Sequence, residues 1–132
     1  MVKGVLHVAV LVKSLDESLR VYQDLLGAKP GEIETVPEQG VRTVLVDVGG
    51  ATKLEFLEPL PGSNMAKTLE KRGEGLHHIS LEVENINREL NSLVGKGVEL
   101  IDKKARKGVE GMIAFIHPKS LKGVLVELCQ KD

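Results

Sequence analysis

From Gly4 to Val12 the chain reads GVLHVAVLV, β-branched and almost wholly apolar, the pattern of a strand covered on both faces. His7 alone breaks it. The period then changes. Ser14 can cap a helix, and Glu17, three residues on, can complete a capping box. Leu15, Leu19, Tyr22 and Leu26 follow at spacings of four, three and four, one face of an α-helix. Gly27 stops it at the position that favours a left-handed residue. Ala28 to Val36 is a weaker strand pattern, and Pro37-Glu38-Gln39-Gly40 is a turn. Val41 to Val48 and Thr52 to Glu58 are strands joined by a tight turn at Gly49-Gly50. Pro59 and Pro61 stop the second strand, and Ser63 caps a short helix through Leu69.

The pattern then restarts. Gly75 to Val83 (GLHHISLEV) is a strand. Asn85 caps a helix whose apolar positions are Ile86, Leu90, Leu93 and Val94, with Gly95 and Gly97 at its end. Val98 to Ile101, Met112 to His117 and Gly123 to Cys129 read as three further strands, with loops at 103–111 and 118–122. Each half is therefore strand, helix, three strands, an internal repeat. Gly4-Val5-Leu6-His7 overlies Gly75-Leu76-His77-His78 at an offset of 71, and Lys53-Leu54-Glu55-Phe56-Leu57 overlies Leu125-Val126-Glu127-Leu128-Cys129 at 72. Both anchors repeat a residue type: His in the first strand, Glu in the last.

Composition narrows the chemistry. The chain has 132 residues, enough to bury roughly two-thirds of its unfolded surface without staples. Its single cysteine, Cys129, excludes an internal disulfide framework and a Cys-rich zinc site. Eighteen Lys+Arg against nineteen Asp+Glu, with one Tyr, two Phe and no Trp, argue against nucleic acid as a partner. Apolar runs are too short to span a membrane, and the start has no signal-peptide layout, so a soluble cytoplasmic protein is expected. Any metal site must be built from His and carboxylate.

Alternation along a strand puts His7 on a face with Ala9 and Leu11, and His78 on a face with Ser80 and Glu82. The opposite face carries His77, Ile79, Leu81 and Val83 and suits packing on the helix. If two similar curved sheets face each other, two His and two Glu converge on one cleft. Such a set suits Co²⁺, Mn²⁺, Ni²⁺, Zn²⁺ or Fe²⁺, with room for two further ligands. A lone strand His is ordinarily a core or surface residue, and a lone strand Glu is ordinarily solvated. The match of both types across the repeat is what lifts these four. His77 and His117 have no repeat partner. His77 is expected to be structural, and His117, before Pro118, either lines the cleft mouth or is a polar strand end.

At these residues the chain resembles the methylmalonyl-CoA epimerases of the vicinal-oxygen-chelate superfamily. The likeness runs nearly end to end, through HVAVLVKSLDESLRVYQDLLGA, PEQGVR, TKLEFLEPL, GEGLHHISLEV and FIHPKSLKGVLVEL. It implies an α+β fold: two tandem βαβββ modules, about 1–72 and 73–132 of a single domain, forming a half-closed barrel-like sheet around a metal. It implies His7, Glu55, His78 and Glu127 as ligands, a divalent cation with Co²⁺ favoured, an acyl-CoA substrate and a homodimer. The reaction implied interconverts (R)- and (S)-methylmalonyl-CoA through a metal-stabilised enolate. Epimerisation needs two acid/base groups, one for each face of the carbon, and Glu127 is one of them by resemblance. Some bacterial members place a Glu three residues after the Gly of PEQGV and a Gln at the ligand position of TKLEF. Here those positions hold Thr43 and Glu55, so Glu55 is expected to serve as ligand and in proton transfer, with Glu38 as a weaker candidate. The resemblance also sets the segment from Gly108 to Gly111 beside the thioester. Lys103, Lys104, Arg106, Lys107, Lys119 and Lys122 are candidates for the CoA phosphates, or else ordinary solvated cations.

Two other functions fit a similar scaffold. A glyoxalase I-type lyase would use the same four ligands, but HPKSLKGVL replaces the DPDGY-like run that glyoxalases tend to carry, and aromatics are scarce. A non-catalytic binding protein of the same fold usually lacks the full His/Glu set.

Overall fold

The computed structural model describes all residues from Met1 to Asp132. The strands of the first half run in the order β2 (Lys29–Val36), β3 (Val41–Asp47), β4 (Lys53–Pro59), β1 (Val2–Leu11), and those of the second in the order β6 (Arg106–Lys107), β7 (Gly111–Ile116), β8 (Val126–Lys131), β5 (Gly75–Val83). Two compact units are distinguished, residues 7–77 and residues 1–6 with 78–132.

In the unit of residues 7–77, β1 (Val2–Leu11) enters and leads to α1 (Leu15–Leu26). Ser14 caps α1 as its sequence predicts, its hydroxyl accepting from the Glu17 N–H at 3.2 Å. Gly27 closes the helix at φ 66°, where a Cβ would be strained. β2 (Lys29–Val36), β3 (Val41–Asp47), β4 (Lys53–Pro59) and α2 (Asn64–Arg72) follow. β4 runs parallel to β1 and antiparallel to β3, and β2 pairs with β3. Leu15 and Leu19 pack with Val12, Ala28, Val44, Val46 and Phe56. Tyr22 lies edge-on to Phe56 at 4.7 Å between centroids, a geometry that aromatic quadrupoles favour. Leu26 departs from its expected place and is 70% exposed. The left-handed turn at Gly27 brings Ala28 into the core instead.

The unit of residues 1–6 and 78–132 repeats this plan. β5 (Gly75–Val83) leads to α3 (Ile86–Gly95), capped by the Asn85 side chain, which accepts from the Arg88 N–H at 3.0 Å. β8 (Val126–Lys131) is parallel to β5, and β7 (Gly111–Ile116) lies antiparallel beside β8. Ile86 and Leu90 pack on Val83, Ala114, Ile116, Val126 and Leu128, with Leu93 against them. Val94 is exposed. Eight residues beyond Ile86, it has rotated about 80° off the buried stripe.

The expected strand at 98–101 is absent. Only Leu100 forms a bridge, to Ile116. The Asp102 carboxylate accepts from the Phe115 N–H at 2.8 Å, a bond a strand neighbour's carbonyl would otherwise make. A two-residue strand, β6 (Arg106–Lys107), pairs with β7 in its place. The last strand begins at Val126 rather than Gly123, after a 3-10 turn at Pro118–Leu121. No helix is long and apolar enough to cross a membrane.

The registers reproduce the sequence repeat. Ala9 pairs with Glu55 and Leu45 with Glu55, while Ser80 pairs with Glu127 and Phe115 with Glu127. Each unit thus places one His and one Glu on the strand face turned away from its long helix.

Candidate metal and acid/base site

On β1 and β4, His7 and Glu55 are almost fully buried, and His7 Nε2 lies 3.3 Å from Glu55 Oε1. The face they share holds Ala9, Leu11, Val41 and Leu57, packed against Met65 and Leu69 of α2. A carboxylate among such neighbours is costly unless paired, and the imidazole supplies the pairing. On β5 and β8, His78 and Glu127 are buried too. The His78 ring stands edge-on to Phe115, 5.1 Å between centroids at 88°, which fixes its plane. Within each unit one candidate His shares a strand face with one candidate Glu, His7 with Glu55 and His78 with Glu127. Imidazole and carboxylate are donors that divalent first-row cations accept.

His77, the neighbour in the pair, differs in kind. Burial, followed by the nearby Arg72 guanidinium, lowers its pKa to about 4, so it is neutral at pH 7. Glu38 is exposed on the 3-10 turn at Pro37–Gln39. His117 acts locally, its Nδ1 accepting from the Lys119 N–H at 3.0 Å to cap the turn that follows. Gly108 and Gly111 are required by packing within the protein. A Cβ on Gly108 would meet Ile113 Cγ2 at 2.8 Å, and one on Gly111 would run into the Gln130 carbonyl. Among the basic residues, Arg106 is half-buried over the Phe115 ring at 5.7 Å and bonds Asp102 at 3.1 Å. Lys103, Lys104, Lys107, Lys119 and Lys122 are exposed.

Two features escape a motif search. Phe115 and Arg106 form a stacked support beside His78. Glu58 and Gln130 each close the start of a helix: Glu58 accepts from the Leu15 N–H and Gln130 from the Ile86 N–H, both at 2.9 Å. The signal was the 72-residue offset, which relates Glu58 to Gln130 as it relates Glu55 to Glu127. A cavity of about 380 Å³ lies elsewhere, between β1 and α1, lined by Val10, Val12, Val21 and Tyr22. It contains none of the four candidate ligands.

Residues 6–115 match the model of the Glyoxalase/Bleomycin resistance protein/Dioxygenase superfamily. The chain is 41% identical over 127 residues to the mitochondrial methylmalonyl-CoA epimerase of Bos taurus, covering 94% of this chain and 72% of that protein. The structure of methylmalonyl-CoA epimerase from Mycobacterium tuberculosis superposes with a TM-score of 0.93 at 36% identity, over 99% of this chain and 89% of that one. A methylmalonyl-CoA epimerase in complex with methylmalonyl-CoA and NH4+ superposes at 0.92 with 32% identity, over 99% and 96%.

Proposed function

The chain belongs to the glyoxalase/bleomycin resistance protein/dioxygenase superfamily and, within it, to the methylmalonyl-CoA epimerases, and from that premise we propose that it interconverts (R)- and (S)-methylmalonyl-CoA. The observation that carries the reading is the buried His7–Glu55 pair at 3.3 Å. His7, Glu55, His78 and Glu127 are the residues that would hold a divalent cation. Co²⁺, Mn²⁺, Ni²⁺ and Zn²⁺ all suit imidazole and carboxylate donors. When bound, the cation supplies Lewis-acid stabilisation of the negative charge that develops on the thioester oxygen.

The side chains do the rest. The carbon between carboxylate and thioester is a weak acid. Glu127 takes its proton on one face, and Glu55 delivers a proton to the other; the reverse direction exchanges the two roles. Glu55 fills this part because Thr43, on the neighbouring strand, has no ionisable group. The apolar side chains around Glu55 keep water from competing for the proton. The segment from Gly108 to Gly111 lies along the thioester, His117 lines the entrance, and Lys119 reaches the CoA phosphates.

The test supplies metal-loaded protein with (S)-methylmalonyl-CoA and resolves the two epimers by chiral analysis. Formation of the (R) epimer is expected. No conversion, with turnover of the hemithioacetal of methylglyoxal and glutathione instead, would overturn the reading in favour of a glyoxalase I-type lyase.

A further inference from the structure

Thr43 is 2% exposed, and its Oγ1 has no hydrogen-bond partner in the protein. Register explains why. On β3, Thr43 faces Leu57 of β4 on one side and Glu34 of β2 on the other. Leu57 offers no polar atom, and Glu34 is exposed. The rest of its face is Val41, Ala9 and Leu11. A hydroxyl left so is destabilising, whereas a valine of the same shape would escape that cost. Buried polar groups are nearly always satisfied, by protein or by what the protein binds. Leu45, two residues along the same face, is the register partner of Glu55. Thr43 is therefore a diagonal neighbour of Glu55, roughly 7–8 Å away by strand geometry.

We propose that Thr43 is a substrate-contacting residue: its hydroxyl donates a hydrogen bond to an acceptor oxygen of the carboxyl-bearing acyl thioester held beside His7 and Glu55. The inference rests on the epimerase reading for its substrate, but it stands on the orphaned hydroxyl. Thr43 makes the contact without taking part in proton transfer, so its loss weakens binding and orientation together.

The experiment compares wild type, Thr43→Val and Thr43→Ser. Three quantities are read: kcat/KM for (S)-methylmalonyl-CoA, the Kd of unreacting malonyl-CoA by calorimetry, and the ligand-free melting midpoint. Thr43→Val is expected to lower kcat/KM and weaken malonyl-CoA binding about tenfold each, while its ligand-free midpoint stays level or rises. Thr43→Ser is expected to stay within about threefold of wild type. Values for Thr43→Val within twofold of wild type would overturn the inference. So would a lowered midpoint with unchanged kinetics, the mark of a purely structural hydroxyl. A wild type inactive on methylmalonyl-CoA sinks the epimerase reading instead, and the malonyl-CoA affinities then decide on Thr43. Absence of malonyl-CoA binding to the wild type overturns the inference too.

Discussion

Replacing Glu58 with alanine should destabilise the fold by about 2 kcal/mol, from three losses. Its Oε2 accepts from the Leu15 N–H, at a residue with no exposure. Losing that bond costs ~1 kcal/mol. Its carboxylate stands at the start of α1, where a negative charge contributes ~0.3–1 kcal/mol. Its Oε1 bonds Arg42 Nη1 at 2.9 Å, but the arginine side chain is 38% exposed, so this pair contributes at most ~0.5 kcal/mol after screening. For a domain of this size the sum corresponds to a fall in melting temperature of roughly 6–10 °C. Urea unfolding followed by circular dichroism gives the free energy, provided the slope stays constant. Glu58→Gln keeps an acceptor and should cost about half as much. Gln130→Ala removes the equivalent bond to the Ile86 N–H and should cost ~1 kcal/mol. Glu58→Ala within 0.5 kcal/mol of wild type, or Glu58→Gln as costly as Glu58→Ala, would refute the assignment of Glu58 as the acceptor that closes α1 (on the order of the error of the assay).

Metal content separates the adjacent histidines: His7→Ala and His78→Ala should lose the bound cation on dialysis and His77→Ala should keep it, by elemental analysis; retained metal in His78→Ala would show the strand phase to be misassigned. Gly111→Ala forces a Cβ into the Gln130 carbonyl at φ 155°, so soluble yield or melting temperature should drop sharply, and a wild-type midpoint would contradict the close approach. Burial and then the charge of Glu127 raise the Cys129 thiol to about 12. The unfolded thiol ionises near 8.5, so above that pH the unfolded chain holds fewer protons than the folded one. Stability attributable to Cys129 is complete below that point and is lost as pH rises toward 12. Urea midpoints from pH 8 to 10 should therefore fall more steeply for wild type than for Cys129→Ala; parallel slopes would contradict the raised pKa.

The helices were legible because capping is local chemistry. Ser14 with Glu17 and Asn85 with Arg88 fix α1 and α3 within a few residues of chain. β5 was legible because Gly75 and Val83 bound a single apolar-rich run. The strand expected at 98–101 failed for a non-local reason: Asp102 reaches back to the Phe115 N–H, and Lys103 and Lys104 keep the segment beyond it in water. β6 that replaces it is short and basic, as edge strands tend to be. Of the candidate site, the His and Glu positions were singled out by the repeat and by the resemblance. The His7–Glu55 contact needed the register of β1 on β4. Phe115 against His78, and the solitary hydroxyl of Thr43, depend on pairings that no single stretch of chain encodes.

The central claim is proton transfer at the carbon between carboxylate and thioester. It is tested most directly by incubating metal-loaded protein with (S)-methylmalonyl-CoA in deuterated water and following the α-position by mass spectrometry. The account predicts α-deuterium in both epimers for wild type, with Glu127→Gln and Glu55→Gln each blocking epimerisation. Wild-type substrate recovered with its α-proton intact would contradict the account, and full epimerisation by Glu55→Gln would remove Glu55 from the proton path.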